Sequence, residues 1–239
     1  MRKFVPLLAT LMVLASAQPA RPGFLDDLLK EVTRPEGTKD ERTVASGLRE
    51  ALYIGTDNAV QAVSREDGYL GNLKIRIPVP DELEGAEKLL RKVRMDAYVD
   101  EFILSMNRAA EKASPQAVGI FHQAIKDLTI VDAFDILRGD DTAATGYFRE
   151  KTFDGLHALF RPIVTESMGQ TGVVKSYKRL VDRYTSLPFV NQEPVDLEDY
   201  VTNRALEGLF HMVGEEERKI RKDPAARVSK LLREVFGGS

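Results

Sequence analysis

Residues 97–113 read AYVDEFILSMNRAAEKA, and this stretch decides the fold class. Val99, Phe102, Ile103, Met106, Ala110 and Ala113 recur at intervals of three and four, the spacing of one helix face. Ala109, Ala110 and Ala113 let a neighbouring helix come close, so this helix is expected at the centre of the protein. Asn107 and Glu111 flank the stripe, and Arg108 lies across from it. A guanidinium so placed is expected to be partly buried with a carboxylate partner, Glu111 or an Asp of the 132–141 corner, because an unpaired buried charge is very costly. An enclosed arginine also receives an acidic ligand group through paired hydrogen bonds.

The same period continues on both sides. Downstream, Ser114-Pro115 reads as an N-cap followed by a first-turn proline, opening a helix with Val118, Phe121, Ile125 and Leu128. Thr129 and Asp132 resemble a capping box with Asp in place of Glu. Gly139 suits a left-handed helix C-terminus, and Asp141 is placed to cap a helix carrying Ala144, Tyr147 and Phe148. A further helix is expected over 154–169, kinked or split by Pro162. Others follow over 173–184 and, after a loop with Pro188 and Pro194, from the cap Asp196 to about Lys222. Asp223-Pro224 opens a last helix to Phe236.

Upstream, 81–94 places acids early and bases late, which complements the helix macrodipole. Residues 41–64 carry Val44, Leu48, Ala51, Leu52, Ala59, Val60 and Val63 on one face. Between them, 65–80 holds Gly68, Gly71 and the alternating Lys74-Ile75-Arg76-Ile77. With no second strand-like run to pair with, and with Pro78 and Pro80, it reads as an extended arm. The expectation is an all-α protein: a single compact bundle of about ten helices over 41–239, with one arm near 65–80.

The start of the chain predicts its compartment. Met1-Arg2-Lys3, an apolar run to Ala15 and the small-residue site Ala15-Ser16-Ala17 form a signal peptide over 1–17, cleaved before Gln18. The apolar run is too short to span a bilayer, which takes ~20 residues. Residues 18–40 read as a tether with one apolar turn at Phe24, Leu25, Leu28 and Leu29. The mature chain is expected in the periplasm or secreted, without a transmembrane segment. The absence of cysteine excludes disulfides, thiolate catalysis and cysteine-based metal sites. Hydrophobic residues at 43% with charged residues at 30% mark a folded chain. A net charge of −3, made more acidic by loss of Arg2 and Lys3, argues against nucleic acid as a partner.

Motifs for chemistry are few. Thr165-Glu166-Ser167-Met168-Gly169 lacks the first glycine of a nucleophile elbow, and no phosphate-cradling glycine loop occurs. Asp154 and His157 have the three-residue offset of di-iron bundles without the second copy. Glu207, His211 and Glu215 line one helix face, as a partial metal set or as a solvated stripe. Asp132, Asp135, Asp140 and Asp141 cluster at one corner, as caps, as an acid–base pair or as a Ca²⁺ site without an EF-hand loop. The run from Glu215 to Lys222 reads as a solvated helix end.

Four ordered strings carry a resemblance: GTDNAV (55–60), SMNRAAEKA (105–113), GDDTAATGYFR (139–149) and GEEERKIRKDPAAR (214–227). Together they resemble the bacterial family catalogued as domain of unknown function 4197, over roughly 40–236. That resemblance implies an exported protein of Gram-negative-type bacteria and brings no activity, ligand or catalytic residue.

Three functions are consistent with the sequence. The first is a non-catalytic periplasmic protein that holds a lipid or other apolar or acyl-bearing small molecule. Its lining would be Phe102, Met106, Phe160, Met168, Phe210 and Met212, with Asn107, Arg108 and Glu111 as polar groups. The second is a module that binds another envelope protein. The third, less favoured, is a hydrolase-type enzyme using the Asp corner or the Arg108–Glu111 pair. No cofactor and no metal is expected.

Overall fold

A computed structural model describes residues 41–170, 175, 177 and 195–222. The expected signal peptide, tether, last helix and most of the 173–184 helix and 186–195 loop lie outside the described residues. Seven α-helices form the described part: α1 (Glu41–Ser64), α2 (Glu84–Lys92), α3 (Asp96–Ala113), α4 (Ala117–Asp127), α5 (Ile130–Arg138), α6 (Ala143–Gln170) and α7 (Leu197–Lys222). Short 3-10 turns precede α2 (Asp81–Leu83) and α4 (Ser114–Gln116), and there is no strand among the described residues. The protein is all-helical.

Among the described residues there are seven α-helices, not the expected ten or so, and α6 shows one reason. The helix expected after the cap Asp141 and the helix expected over 154–169 are one helix of 28 residues that runs through Pro162. A mid-helix proline costs roughly 3 kcal/mol. Here Pro162 and Ala158, whose carbonyl loses its partner, both lie on the solvent side of the helix. On the opposite face Thr152, Leu156, Phe160, Val164 and Met168 are buried at four-residue spacing. Each fully buried large apolar side chain contributes about 1.5–3 kcal/mol. Anchors on both sides of the proline therefore outweigh its cost.

α6 lies along α7 and α3, and α1 packs against α7, α4 and α5. The core residues form one continuous cluster. Phe102 of α3 stacks on Tyr177 with centroids 3.8 Å apart, while Phe121 meets Phe148 and Phe210 edge-on. Ala109, Ala110 and Ala113 are fully buried in α3, as their small size predicts for a central helix.

Residues 65–80 are not an extended arm over their whole length. Turns occupy 66–71 and 73–75, and only 76–80 is free of both turn and helix. Asp67 takes a left-handed conformation at φ 61°, and the segment folds back on the bundle, burying Tyr69, Ile75, Ile77 and Val79.

Several terminal signals act differently from their sequence reading. Ser114 does not cap α4. Its hydroxyl donates back to the Ala110 carbonyl at 2.8 Å, because the chain stays helical from α3 through Ser114. Gly139 is extended (φ −72°, ψ −178°), not left-handed. Glycine fits there for room, since a Cβ would lie 2.4 Å from the Cβ of Ala143. Asp141 pairs with Lys222, and Asp140 binds the Thr142 N–H at 2.8 Å instead. Thr129 and Asp132 do form a capping box, and Asp196 accepts the Asp199 N–H at 2.9 Å.

The run 215–222 is the largest departure. Glu216, Glu217 and Arg221 are buried, not a solvated end. Glu217 accepts the backbone N–H of Ala144 and of Thr145, each at 2.9 Å, satisfying donors at the start of α6 that no helix can satisfy internally. Arg221 binds Glu217 Oε1 at 2.7 Å and donates to the Ile136 carbonyl at the end of α5. One ion pair thus joins α5, α6 and α7.

Candidate binding groove

The polar residues of SMNRAAEKA are committed to the 65–80 loop. Glu111, 4% exposed, accepts the N–H groups of Tyr69 and Leu70 on Oε1 at 3.1 and 3.4 Å. Its Oε2 accepts from Arg108 Nη1 at 2.6 Å. Arg108, about a third exposed, extends to Asp67 at 2.7 Å and Glu66 at 3.3 Å, so its second partner comes from the loop and not from the Asp corner. The Glu111 hydrogen bond is the main cause that holds the Arg108 guanidinium above its ordinary value. Asn107 is fully buried and binds Ile77.

The other side of the loop rests on α7. Burial pushes the Tyr69 phenol well above the ordinary tyrosine range, so it stays a neutral donor to the Ala205 carbonyl at 2.7 Å. Gly208 lets the loop approach: a Cβ there would sit 2.7 Å from Tyr69 Cε1 and 3.1 Å from Ile75 Cβ. Tyr200 donates to the Pro78 carbonyl at 3.2 Å.

Held between α3 and α7, the loop and α7 enclose an open groove of about 330 Å³, at the lower end of the size range of small-molecule sites. Lys74, Arg76 and Pro78 line the loop side, and Arg204, Glu207 and His211 line the α7 side. The alternation noted in the sequence sets the loop side. Ile75 and Ile77 point into the core, so Lys74 and Arg76 point outward. On α7, positions 204, 207 or 208, and 211 fall on one face at helical spacing.

The charges are unevenly committed. Arg204 pairs with Glu207 at 3.0 Å, and Lys74 pairs with Glu215 at 3.3 Å. Arg218 chiefly, then Lys74, holds the Glu215 carboxylate below its ordinary range. His211 Nε2 lies 3.5 Å from Glu215 and has no hydrogen-bond partner. Arg76 lines the groove with no carboxylate partner among the described residues.

The nominated apolar residues do come together, as filled core. Phe102, Met106 and Phe160 are fully buried, and Met168 and Phe210 are 1% exposed. Met212 is half-buried beside the loop, its sulfur accepting from Asn72 at 3.6 Å. Most residues raised for acid–base work or as metal ligands are engaged elsewhere. Asp132 and Asp140 bind Thr129 and Thr142, and His157 binds Asp199 at 3.0 Å, not Asp154. Glu207 and Glu215 are each tied to cations, and although Glu215 lies 3.5 Å from His211, the three do not form a metal-binding group among the described residues. Sequence reading missed the groove's basic side, and the Lys74–Ile77 alternation was the signal that carried it.

A model of the family described as a protein of unknown function (DUF4197) matches residues 38–237. No curated protein and no solved structure matches the chain.

Proposed function

The chain belongs to this family, and we propose that it is an exported, non-catalytic binding protein whose ligand occupies the groove between residues 74–78 and α7. The observation that carries the reading is the construction of that groove. Asn107 and Glu111, both buried, fasten a 330 Å³ surface depression in place, and positioning one side of a site from a rigid element is what preorganised recognition requires. The basic start and short apolar run at 1–17 support export, and the family resemblance supports the periplasm. The commitment of Asp132, Asp140 and Asp141 to local hydrogen bonds and an ion pair supports binding over catalysis.

The apolar or acyl-bearing guest is the second reading, supported by the recurrence of Phe and Met in α3, α6 and α7. It requires the packed set around Phe102, Phe160 and Phe210 to part, against the close packing typical of protein interiors. An amide-resolved NMR screen with a compound set of mixed charge and polarity separates the two. Groove binding shifts the amides of 74–77 and 204–211. Shifts centred on 102–106, 156–168 and 210 would favour the enclosed guest, and a set that shifts neither region would remove both.

A further inference from the structure

We infer that the groove recognises an oxyanion, a carboxylate or phosphate group on a small polar molecule, with Arg76 as its first contact; the inference rests on the groove being the binding site. Charge is the first ground. Lys74, Arg76 and Arg204 line the groove against one lining carboxylate, Glu207, with Glu215 at its edge paired to Lys74, in a chain whose net charge is −3. A local cationic excess on an acidic protein draws anions to that place.

The state of each cation is the second ground. Arg76 has no carboxylate partner among the described residues, so its planar fork is free to take two oxygens at once. Lys74 and Arg204 are engaged in solvent-exposed ion pairs, with side chains 67% and 44% exposed, and Arg204 also lies over the Tyr200 ring, 5.6 Å from its centroid. Exposed pairs of this kind are worth little and break at small cost, so Lys74 is able to turn towards a ligand, while Arg204 adds its charge from its place beside Tyr200. Arg108 and Arg221 differ, since their partners Glu111 and Glu217 are buried.

The backbone gives the third ground, by excluding a different occupant. An extended peptide adds to an exposed strand through main-chain hydrogen bonds. Along 76–80, Pro78 and Pro80 have no N–H, the Ile77 N–H is bound by Asn107 and that of Arg76 by the Asn72 carbonyl. This edge has few donors to offer a peptide, so recognition falls to the side-chain cations.

The test is titration of the full mature chain with inorganic phosphate, with citrate, and with uncharged glycerol as control, followed by backbone amide shifts at 74–77 and 204–211. Binding is expected for phosphate or citrate tighter than about 1 mM at low salt, weakening as ionic strength rises. The arm that binds tighter separates phosphate from carboxylate. Arg76→Ala is expected to weaken it about tenfold or more, the loss of a charged hydrogen-bond pair, while Arg76→Lys restores part. Lys88→Ala, on the exposed side of α2, should bind as wild type. Arg76 is exposed and its side chain has no hydrogen bond or ion pair among the described residues, so an unchanged melting temperature is expected and keeps the comparison clean. Wild-type affinity in Arg76→Ala, or no binding of either anion, overturns the inference. If a neutral compound from the mixed set shifts the groove amides while the anions do not, the oxyanion fails and the groove survives. If no compound shifts them, both fail.

Discussion

Asn107 holds both backbone polar groups of Ile77: its Oδ1 accepts the Ile77 N–H at 2.9 Å, and its Nδ2 donates to the Ile77 carbonyl at 2.9 Å. The second Nδ2 hydrogen goes to the Ile103 carbonyl at 2.8 Å. The amide orientation is thereby fixed, because flipping it would set oxygen against two carbonyls and nitrogen against an N–H. With both residues fully buried, water has no access to replace these bonds. Asn107→Ala should therefore cost about 3 kcal/mol, from two backbone groups left unmet at ~1–3 kcal/mol each. Asn107→Asp should cost more, placing a carboxylate oxygen against two carbonyls. Urea unfolding measures both, and a loss under about 1 kcal/mol for the alanine, no more than one ordinary hydrogen bond, would show that the loop is held by other contacts.

For Arg108→Ala the structure sets a smaller loss than a fully buried pair implies. Glu111 is 5% exposed in its side chain but Arg108 is 31% exposed, and Glu111 keeps the two loop N–H groups when the guanidinium is gone. The expected cost is about 2 kcal/mol, in the range of a charged hydrogen bond, below the ~3–5 kcal/mol of a broken buried pair. Glu111→Ala should cost more than Arg108→Ala, since it strands the Tyr69 N–H. Thermal melts of the two variants side by side give the order, and the reverse order would refute this division of labour.

How much of this was legible in the sequence depends on the range of the interaction. The α3 stripe is a local, period-based pattern, and Val99, Phe102, Ile103 and Met106 are all buried. The Thr129–Asp132 box is equally local, two side chains three residues apart. The Glu217 cap was not legible, because its donors at Ala144 and Thr145 lie more than 70 residues away in the chain. Without that fold-dependent meeting, GEEERKIRK reads as an ordinary charged helix end. The family-like strings turn out to meet one another: 139–149 with 214–222 through Glu217, and 55–60 with 214–222 through Asn58 and Glu216 at 3.3 Å. The groove escaped notice for the same reason. Its two sides lie far apart in the chain, and Gly208 is what lets them touch.

The capping box should make α5 acid-sensitive. Asp132 lies below the ordinary aspartate range, chiefly through the hydrogen bond from the Thr129 hydroxyl and then through the Thr129 N–H. Its folded pKa is thus lower than its unfolded one, ~3.9. The stabilisation is fully present above the unfolded value and is lost as pH falls through the lowered folded value. Thr129→Val, which keeps the shape and removes the hydroxyl, should cost about 1 kcal/mol near neutral pH, as a lost cap does. The gap between wild type and variant should narrow as pH drops below about 4. Carbon-detected titration of the Asp132 carboxyl reads the midpoint directly, and an ordinary aspartate midpoint in the wild type would contradict the assignment.

The Glu217–Arg221 pair offers the most decisive measurement, because removing one partner and removing both have opposite logics. Their side chains are 6% and 8% exposed. Arg221→Met leaves the Glu217 charge buried, met only by the Ala144 and Thr145 N–H groups and the Thr145 hydroxyl. Glu217→Gln leaves the Arg221 guanidinium buried against the Ile136 and Gly139 carbonyls. Each single change should cost about 3–5 kcal/mol, the expense of an uncompensated buried charge. The double variant has no buried charge at either position, and the introduced amide oxygen still accepts at the start of α6. Its loss should therefore fall short of the sum of the singles by about 1 kcal/mol or more, the coupling typical of residues in direct contact. Chemical denaturation of all four proteins closes the cycle. Strict additivity would mean that the two residues act independently, each through its own backbone contacts, and that α5, α6 and α7 are not joined by the ion pair.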